Sequence, residues 1–276
     1  MTEQIEIKEL IEAGVHFGHI TRKWNPNMAP YIYTERTGIH IIDLYKTAAK
    51  IDEAAEALHK IASSGRRVLF VATKKQAKDI VADAAESVNM PYITERWPGG
   101  MLTNFVTIRK AVKKMGHIDR MKLDGSFDAL SKREKLQINR QRQKLEKNLG
   151  SIVDMTRIPG AIFVVDIKRE HIAVTEARKL NIPVFAMVDT NSDPRLVDFV
   201  IPSNDDASKS ISKVLGYITD AISGGLAERK STKDKAAAPS DKEAVAPPAK
   251  EETPVATPAT KEEAPKVAAK EVKEEK

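Results

Sequence analysis

Val68-Leu-Phe-Val-Ala-Thr-Lys-Lys75 and Ala161-Ile-Phe-Val-Val-Asp-Ile-Lys-Arg169 are two versions of one unit. Each opens with a continuous apolar run, the pattern of a strand buried on both faces. Each ends in a basic turn, followed by a helical stretch and then by Asn89-Met-Pro-Tyr92 or Asn181-Ile-Pro-Val184. The strand-to-proline distances, Val68 to Pro91 and Ala161 to Pro183, differ by one residue. A strand, a turn, a covering helix and a proline-led return strand make a βαβ connection, which is right-handed and feeds a parallel sheet.

The signals around this pair extend the alternation. Gly38-Ile-His-Ile-Ile-Asp43 reads as a short apolar strand. Lys46 to Ser64 places Ala48, Ile51, Ala55, Leu58, Ile61 and Ala62 at helical spacing. Gln76 to Val88 is helical, and Tyr92-Ile-Thr94 starts the next strand. Val184 to Asp189 and Phe199-Val-Ile201 supply the last strands. Asp205 to Ile222 is a closing helix whose stop is expected at Gly224-Gly225. The fold class is α/β, a doubly wound parallel sheet of about five strands.

One segment breaks the alternation. Phe105, Ile108, Val112 and Met115 step by three and four, a break falls at Leu123-Asp-Gly-Ser126, and Ile138, Leu145, Leu149 and Ile152 repeat the seam. This is an inserted antiparallel helical hairpin with arms of about five turns. Its second arm carries Lys132, Arg133, Lys135, Arg140, Arg142, Lys144 and Lys147 against Glu134 and Glu146. The expected organisation is therefore residues 1–103 as the first part of the α/β domain, 104–155 as the hairpin, 156–228 as the second part of that domain and 229–276 as a tail. From Ser231 the chain is Ala, Lys, Glu, Pro, Val and Thr with six Pro and no aromatic residue, so it is expected to be disordered.

Composition narrows the function. Among 276 residues there is no cysteine, which excludes disulfides, thiolate metal sites and cysteine nucleophiles. The acidic start Met-Thr-Glu-Gln-Ile-Glu is not read as a signal peptide, and no run approaches the ~18 apolar residues of a membrane span. The chain is therefore expected to be soluble and cytoplasmic. Residues 231–276 hold 9 Lys and 10 acids, which leaves 36 Lys plus Arg and 29 acids in residues 1–230. A body that basic favours a polyanionic partner.

The candidate contacts sit in loops. Gly14 to Met28 holds His16, His19, Arg22, Lys23, Trp24, Asn25 and Asn27 with no apolar period. Arg22 and Lys23 suit phosphates, Trp24 suits stacking, and the asparagines suit base edges. Packing of Trp24 into a capped sheet edge is the plainer alternative for that residue. Arg36 joins the same basic set. Thr73-Lys74-Lys75 lies at the C-terminal end of a core strand, where doubly wound folds bind ligands, and reads as a phosphate seat; Lys168-Arg169 occupies the matching turn. Arg96-Trp97-Pro-Gly-Gly-Met-Leu-Thr-Asn104 combines a tight turn with Arg96 and Trp97, and Thr103 or Asn104 is placed to cap the hairpin helix. Arg109 and Lys113 extend the basic surface onto the hairpin.

Catalytic signals are thin. His16-Phe-Gly-His19 matches the His-x-Gly-His pattern of nucleotidyl transferases, in which the histidines stabilise a triphosphate. Here a short amphipathic helix of Ile5, Ile7, Leu10 and Ile11 precedes it instead of a clear strand. A two-histidine metal site has no evident third ligand, so no metal is assigned. Neither GxGxxG nor GxxxxGK[ST] occurs, which disfavours a nucleotide cofactor. Asp166, Asp189 and Asp193 lie near strand ends, and Asp189-Thr-Asn-Ser-Asp-Pro194 reads as a capping turn.

Together, Gly14-Val-His-Phe-Gly-His19, Trp24-Asn-Pro-Asn-Met28, Gly38 to Asp43, Ala72-Thr-Lys-Lys-Gln-Ala77, Arg96 to Asn104 and Val188 to Pro194 resemble the S-two family of bacterial-type small ribosomal subunit proteins, from about Ile11 to Gly225. The resemblance implies a flavodoxin-like sheet with an inserted hairpin. It implies a non-catalytic structural role between head and body of the subunit, bound to small-subunit ribosomal RNA, and help in docking the neighbouring protein S-one. It makes His16 and His19 part of an RNA-facing region, and it implies no cofactor, no small-molecule substrate and no membrane partner. The rival expectations are a His-x-Gly-His nucleotidyl transferase and a protein-only scaffold.

Overall fold

The computed structural model describes residues 5–237. Five parallel strands lie in the order β5-β4-β6-β7-β8: β4 (Val68–Val71), β5 (Tyr92–Ile93), β6 (Ala161–Val165), β7 (Val184–Val188) and β8 (Phe199–Pro202). The repeated unit pairs with itself, with Val68 opposite Ala161 and Phe70 opposite Phe163. Every residue of β4, β6 and β7 is buried.

Alternation of side chains sends these strands into two cores. Val68, Phe70, Phe163, Val165, Phe185 and Met187 pack beneath α2 (Leu44–Ser63), α3 (Lys78–Ser87) and α7 (Ser208–Ala237). Leu69, Val71, Ile162, Val164, Val184 and Ala186 pack on the other face with α6 (His171–Lys179), Trp97, Met101 and Leu102. Burial of each such large apolar side chain contributes about 1.5–3 kcal/mol.

The repeated Asn-x-Pro has a backbone cause. Asn89 and Asn181 both adopt φ 52° one residue past a helix C-cap. Met90 N–H reaches back to Ala85 C=O and Ile182 N–H to Ala177 C=O, which closes the helix and aims the chain into the next strand.

The helical hairpin consists of α4 (Phe105–Leu123) and α5 (Lys132–Leu149). Arg142 binds Asp119, and Arg109 Nη1 donates to Met155 C=O at 2.9 Å, so the two arms run antiparallel. Val112, Met115, Ile118 and Leu149 form the buried seam. A capping box of Ser131 and Glu134 starts the second arm.

Four expectations need correction. The strand at Gly38–Asp43 is not part of the parallel sheet. As β3 (Ile39–Ile42) it is the middle strand of a separate antiparallel sheet, between β1 (Phe17–Ile20) and β2 (Ile32–Arg36). Thr37 (φ 52°) and Gly38 (φ 74°) make the two-residue turn from β2 to β3. Gly224-Gly225 does not stop α7; these glycines lie where α7 crosses α2, and a Cβ on Gly225 would stand 2.5 Å from His59 C=O. The same helix continues through Ser231 to Ala237, because nothing in that alanine- and lysine-rich stretch breaks it, and residues 238–276 of the expected tail lie outside the described residues. Asn104 holds the N-cap position of α4 without a side-chain bond to the helix backbone; its Oδ1 accepts from the Thr107 hydroxyl instead.

Candidate nucleic-acid interface

The antiparallel sheet sits on the C-terminal edge of the parallel one. The helix α1 (Ile7–Glu12) leads into β1, and the loop after it is tied down by backbone bonds. Asn25 N–H donates to Thr190 C=O at 2.8 Å, Asn204 N–H to Val15 C=O at 3.1 Å, and His19 N–H to Thr190 Oγ1 at 2.8 Å. Gly18 is needed at this contact, because a Cβ there would stand 2.7 Å from Thr190 Cγ2. One end of each loop amide is engaged: Asn25 Oδ1 accepts from Asn27 N–H, and Asn27 Nδ2 donates to Asp193. Asp193 also accepts from Arg195 N–H, so the turn that ends at Pro194 is capped as its sequence suggests.

Beneath this cover, the residues that follow β4, β6, β7 and β8 converge. Lys74 Nζ lies 2.8 Å from Asp205, 2.6 Å from Asp206 and 3.9 Å from Asp166. His19 Nδ1 lies 2.7 Å from Asp189, and its Nε2 lies 3.4 Å from Asp206. Four carboxylates thus share one lysine and one histidine. Asp205 is wholly buried, and its Oδ2 has no hydrogen-bond partner. Burial, then the Asp189 and Asp166 charges, push its carboxyl up to about 7. The bond to Asp189 raises the His19 imidazole above its ordinary range. Burial disfavours the Lys74 ammonium, but Asp205 and Asp206 outweigh it and hold the pKa above its usual value.

The chemistry of this cluster differs from a phosphate seat. Lys74 is only 9 % exposed and already neutralised, and the carboxylates around it repel phosphate. The same repulsion weighs against a triphosphate on His19, and so against the transferase alternative. His16 does not join its partner: its ring lies 4.0 Å from the Phe17 ring, and burial lowers its pKa. His19, Asp189, Asp205 and Asp206 instead place one ligand atom each within 4.8 Å of one another. One imidazole and three carboxylates form a donor set that could hold a divalent cation of borderline softness. In the sequence Asp205-Asp206 looks like the start of a helix, which hides it as a source of a third ligand. Its place just past a buried strand is the signal that marks it.

The second loop is built around a carboxylate. Glu176 of α6 accepts from Trp97 Nε1 (3.1 Å), from the N–H groups of Gly100 (2.8 Å), Leu102 (2.9 Å) and Thr103 (3.2 Å), and from the Thr103 hydroxyl. Burial pushes its carboxyl up, but these donors outweigh it and lower the pKa below the ordinary value. Trp97 is 6 % exposed and is therefore packed against this anchor, not open for stacking. Glu176 falls three residues after Ala173 on the buried stripe of α6. A charge on an apolar stripe is the clue to it in the sequence.

The remaining candidates divide by exposure. Arg109 is turned onto the Val153 and Met155 carbonyls at the base of the hairpin. Arg22, Lys23, Arg36, Lys75, Arg96, Asn104 and Lys113 are exposed, and Trp24 is 39 % exposed with its ring 5.1 Å from His40. Among the described residues, no helix is long and apolar enough to cross a membrane.

Comparison with known proteins gives one consistent answer. The pattern of the family described as Ribosomal protein S2 matches residues 10–225. The chain is 74 % identical over 238 residues to the small ribosomal subunit protein uS2 of Flavobacterium johnsoniae, covering 86 % of this chain and 94 % of that one. It is 75 % identical over 234 residues to the uS2 of Flavobacterium psychrophilum, covering 85 % and 88 %. To the uS2 of Porphyromonas gingivalis it is 66 % identical over 230 residues, covering 83 % and 82 %.

Proposed function

The chain belongs to the ribosomal protein S2 family, and from that premise we propose that it binds small-subunit ribosomal RNA through the loops on the C-terminal edge of its sheet. It is a structural, non-enzymatic constituent of the small ribosomal subunit, a part of the translating ribosome. The observation that carries the RNA reading is the division within the N-terminal segment. Its backbone is bonded to Thr190 and Asn204, just past two strands of the parallel sheet, while Arg22 and Lys23 are left exposed beside Trp24. A rigid loop that presents cations and a partly open indole fits a phosphate backbone with an adjacent base. Arg36, Lys75, Arg96, Asn104 and Lys113 extend that surface, and the contacts to phosphate fix orientation more than sequence.

Docking of the neighbouring protein S-one belongs to the same proposal. Support comes from Phe17 and Ile20, which stand about half exposed on β1, an edge strand with apolar side chains open to a partner. The interface is tested by co-sedimentation of the chain with small ribosomal subunits in rising salt. Loss of the chain from the pellet as salt increases is expected. Pelleting that is indifferent to both salt and ribonuclease would instead favour the protein-only scaffold.

A further inference from the structure

We infer that a basic pocket on the opposite, N-terminal edge of the parallel sheet is a second seat for RNA phosphates. This rests on the RNA-binding reading above and adds a site that the reading does not contain. The pocket is a cavity of about 440 Å³ where the ends of α2 and α3 meet residues 223–230 of α7, and its cations are Arg66, Arg67, Arg229 and Lys230. Among the residues whose side chains are described, none that lines it is acidic. Among the described residues none of the four forms an ion pair, and two acids that neighbour the pocket in sequence face other partners. Glu228 faces His59 at 3.8 Å, and Glu86 accepts from the Tyr92 hydroxyl at 2.6 Å.

The backbone is shaped to hold these cations. Gly65 closes α2 at φ 81°, and a Cβ there would collide with the Arg229 guanidinium. A Cβ on Gly160 would stand 2.6 Å from Arg66 Cβ. Two arginines therefore lie directly on main chain, with their freedom reduced before any ligand arrives. The C-terminal ends of α2 and α3 point into the same region. Their partial negative charge lowers the repulsion among the cations, so the group can stand without carboxylates.

The chemistry selects a phosphodiester. Three of the four cations are arginines, whose planar forks match phosphate oxygens in pairs. Among the described residues, none of the exposed large apolar side chains lines the pocket, so the anchors typical of a protein partner are missing from its lining. The four-residue strand β4 separates this pocket from Lys75, a distance on the order of 13 Å. One phosphate cannot reach both, so the two edges would hold separate points on the RNA.

The test is filter binding of the full chain to a small-subunit ribosomal RNA transcript across a salt series. Arg67 and Lys230 are exposed, so the double variant R67Q/K230Q should fold, and circular dichroism checks that it does. Its plot of log K against log salt should be shallower than wild type by about 1–2, at roughly 0.7–0.9 per lost phosphate contact. The charge-preserving R67K/K230R should restore the slope. An unchanged slope in the folded R67Q/K230Q variant, with wild type still bound, overturns the pocket and leaves the first interface standing. Failure of wild type to bind overturns the reading on which the pocket rests. Unchanged RNA binding with loss of binding to polyglutamate would assign the pocket to an acidic protein and overturn the inference.

Discussion

Gly224 and Gly225 are adjacent in one helix, yet alanine should change stability in opposite directions at the two positions. A Cβ at Gly225 would lie 2.5 Å from His59 C=O, 3.0 Å from Ala62 Cβ and 3.2 Å from Ser63 N. Two of these are backbone atoms of α2, so relief requires α2 and α7 to move apart. At Gly224 the nearest atoms are His59 Cδ2 and Nε2 at 3.5 and 3.6 Å, ordinary contact with a side chain that can turn. Alanine in place of a helical glycine contributes about 1 kcal/mol, and overpacking costs about 1–3 kcal/mol. Only the first effect acts at Gly224, so Gly224→Ala should stabilise by up to ~1 kcal/mol. At Gly225 the clash with rigid backbone should win, for a net loss of about 1–2 kcal/mol. For a domain of this size that is a fall in Tm of roughly 2–8 °C, against a rise of a few degrees for its neighbour. Urea unfolding followed by circular dichroism, with calorimetry beside it, measures both. Stabilisation by Gly225→Ala, or shifts of the same sign at both sites, would refute the close crossing of α2 and α7.

Other substitutions address the two loops. Glu176→Ala strands Trp97 Nε1 and the N–H groups of Gly100, Leu102 and Thr103. Unsatisfied donors cost about 1–3 kcal/mol each, so a loss of at least ~3 kcal/mol is expected, with faster hydrogen exchange at Gly100 and Leu102; unchanged exchange there would show that Glu176 does not anchor the loop. Because the folded Glu176 pKa is lowered, its contribution should be complete above the ordinary carboxylate range and lost as pH falls through the folded value. Urea midpoints measured from neutral to acid pH should therefore fall more for wild type than for Glu176→Gln, and equal falls would contradict this. Lys74→Gln removes the ammonium from among Asp166, Asp205 and Asp206 and should cost about 3–5 kcal/mol. Measured on folded protein, the same variant should leave the salt dependence of RNA binding unchanged, whereas a shallower slope would return Lys74 to the phosphate contacts.

The parallel sheet is legible because β4, β6 and β7 are buried on both faces and so read as unbroken apolar runs. The Asn-x-Pro pair is legible as a helix stop, and the left-handed backbone at Asn89 and Asn181 supplies the reason. Ile39–Ile42 is harder. Three isoleucines around one histidine look alike in a parallel or an antiparallel strand, and the difference lies in Thr37-Gly38, a weak form of the two-residue hairpin signal. Gly224-Gly225 misleads because glycine serves both helix ends and helix crossings, and only the partner helix decides between them. At the candidate site, the loops and their cations can be seen in the sequence. What cannot be seen is which polar groups are already occupied: Lys74, His19, Asn25 and Trp97 are engaged by Asp205, Asp189, Asn27 and Glu176. Of those four bonds, three join residues far apart in sequence, and no local pattern encodes them.

The claim that exposed cations of the N-terminal loop grip ribosomal RNA is tested most directly by Arg22→Gln combined with Lys23→Gln. Both side chains are exposed, so the fold should be kept. Filter binding to a small-subunit ribosomal RNA transcript over a range of salt should give a linear decline of log K for wild type. The slope of the double variant should be shallower by about 1.4–1.8. An unchanged slope, or wild-type binding that ignores salt, would contradict the account.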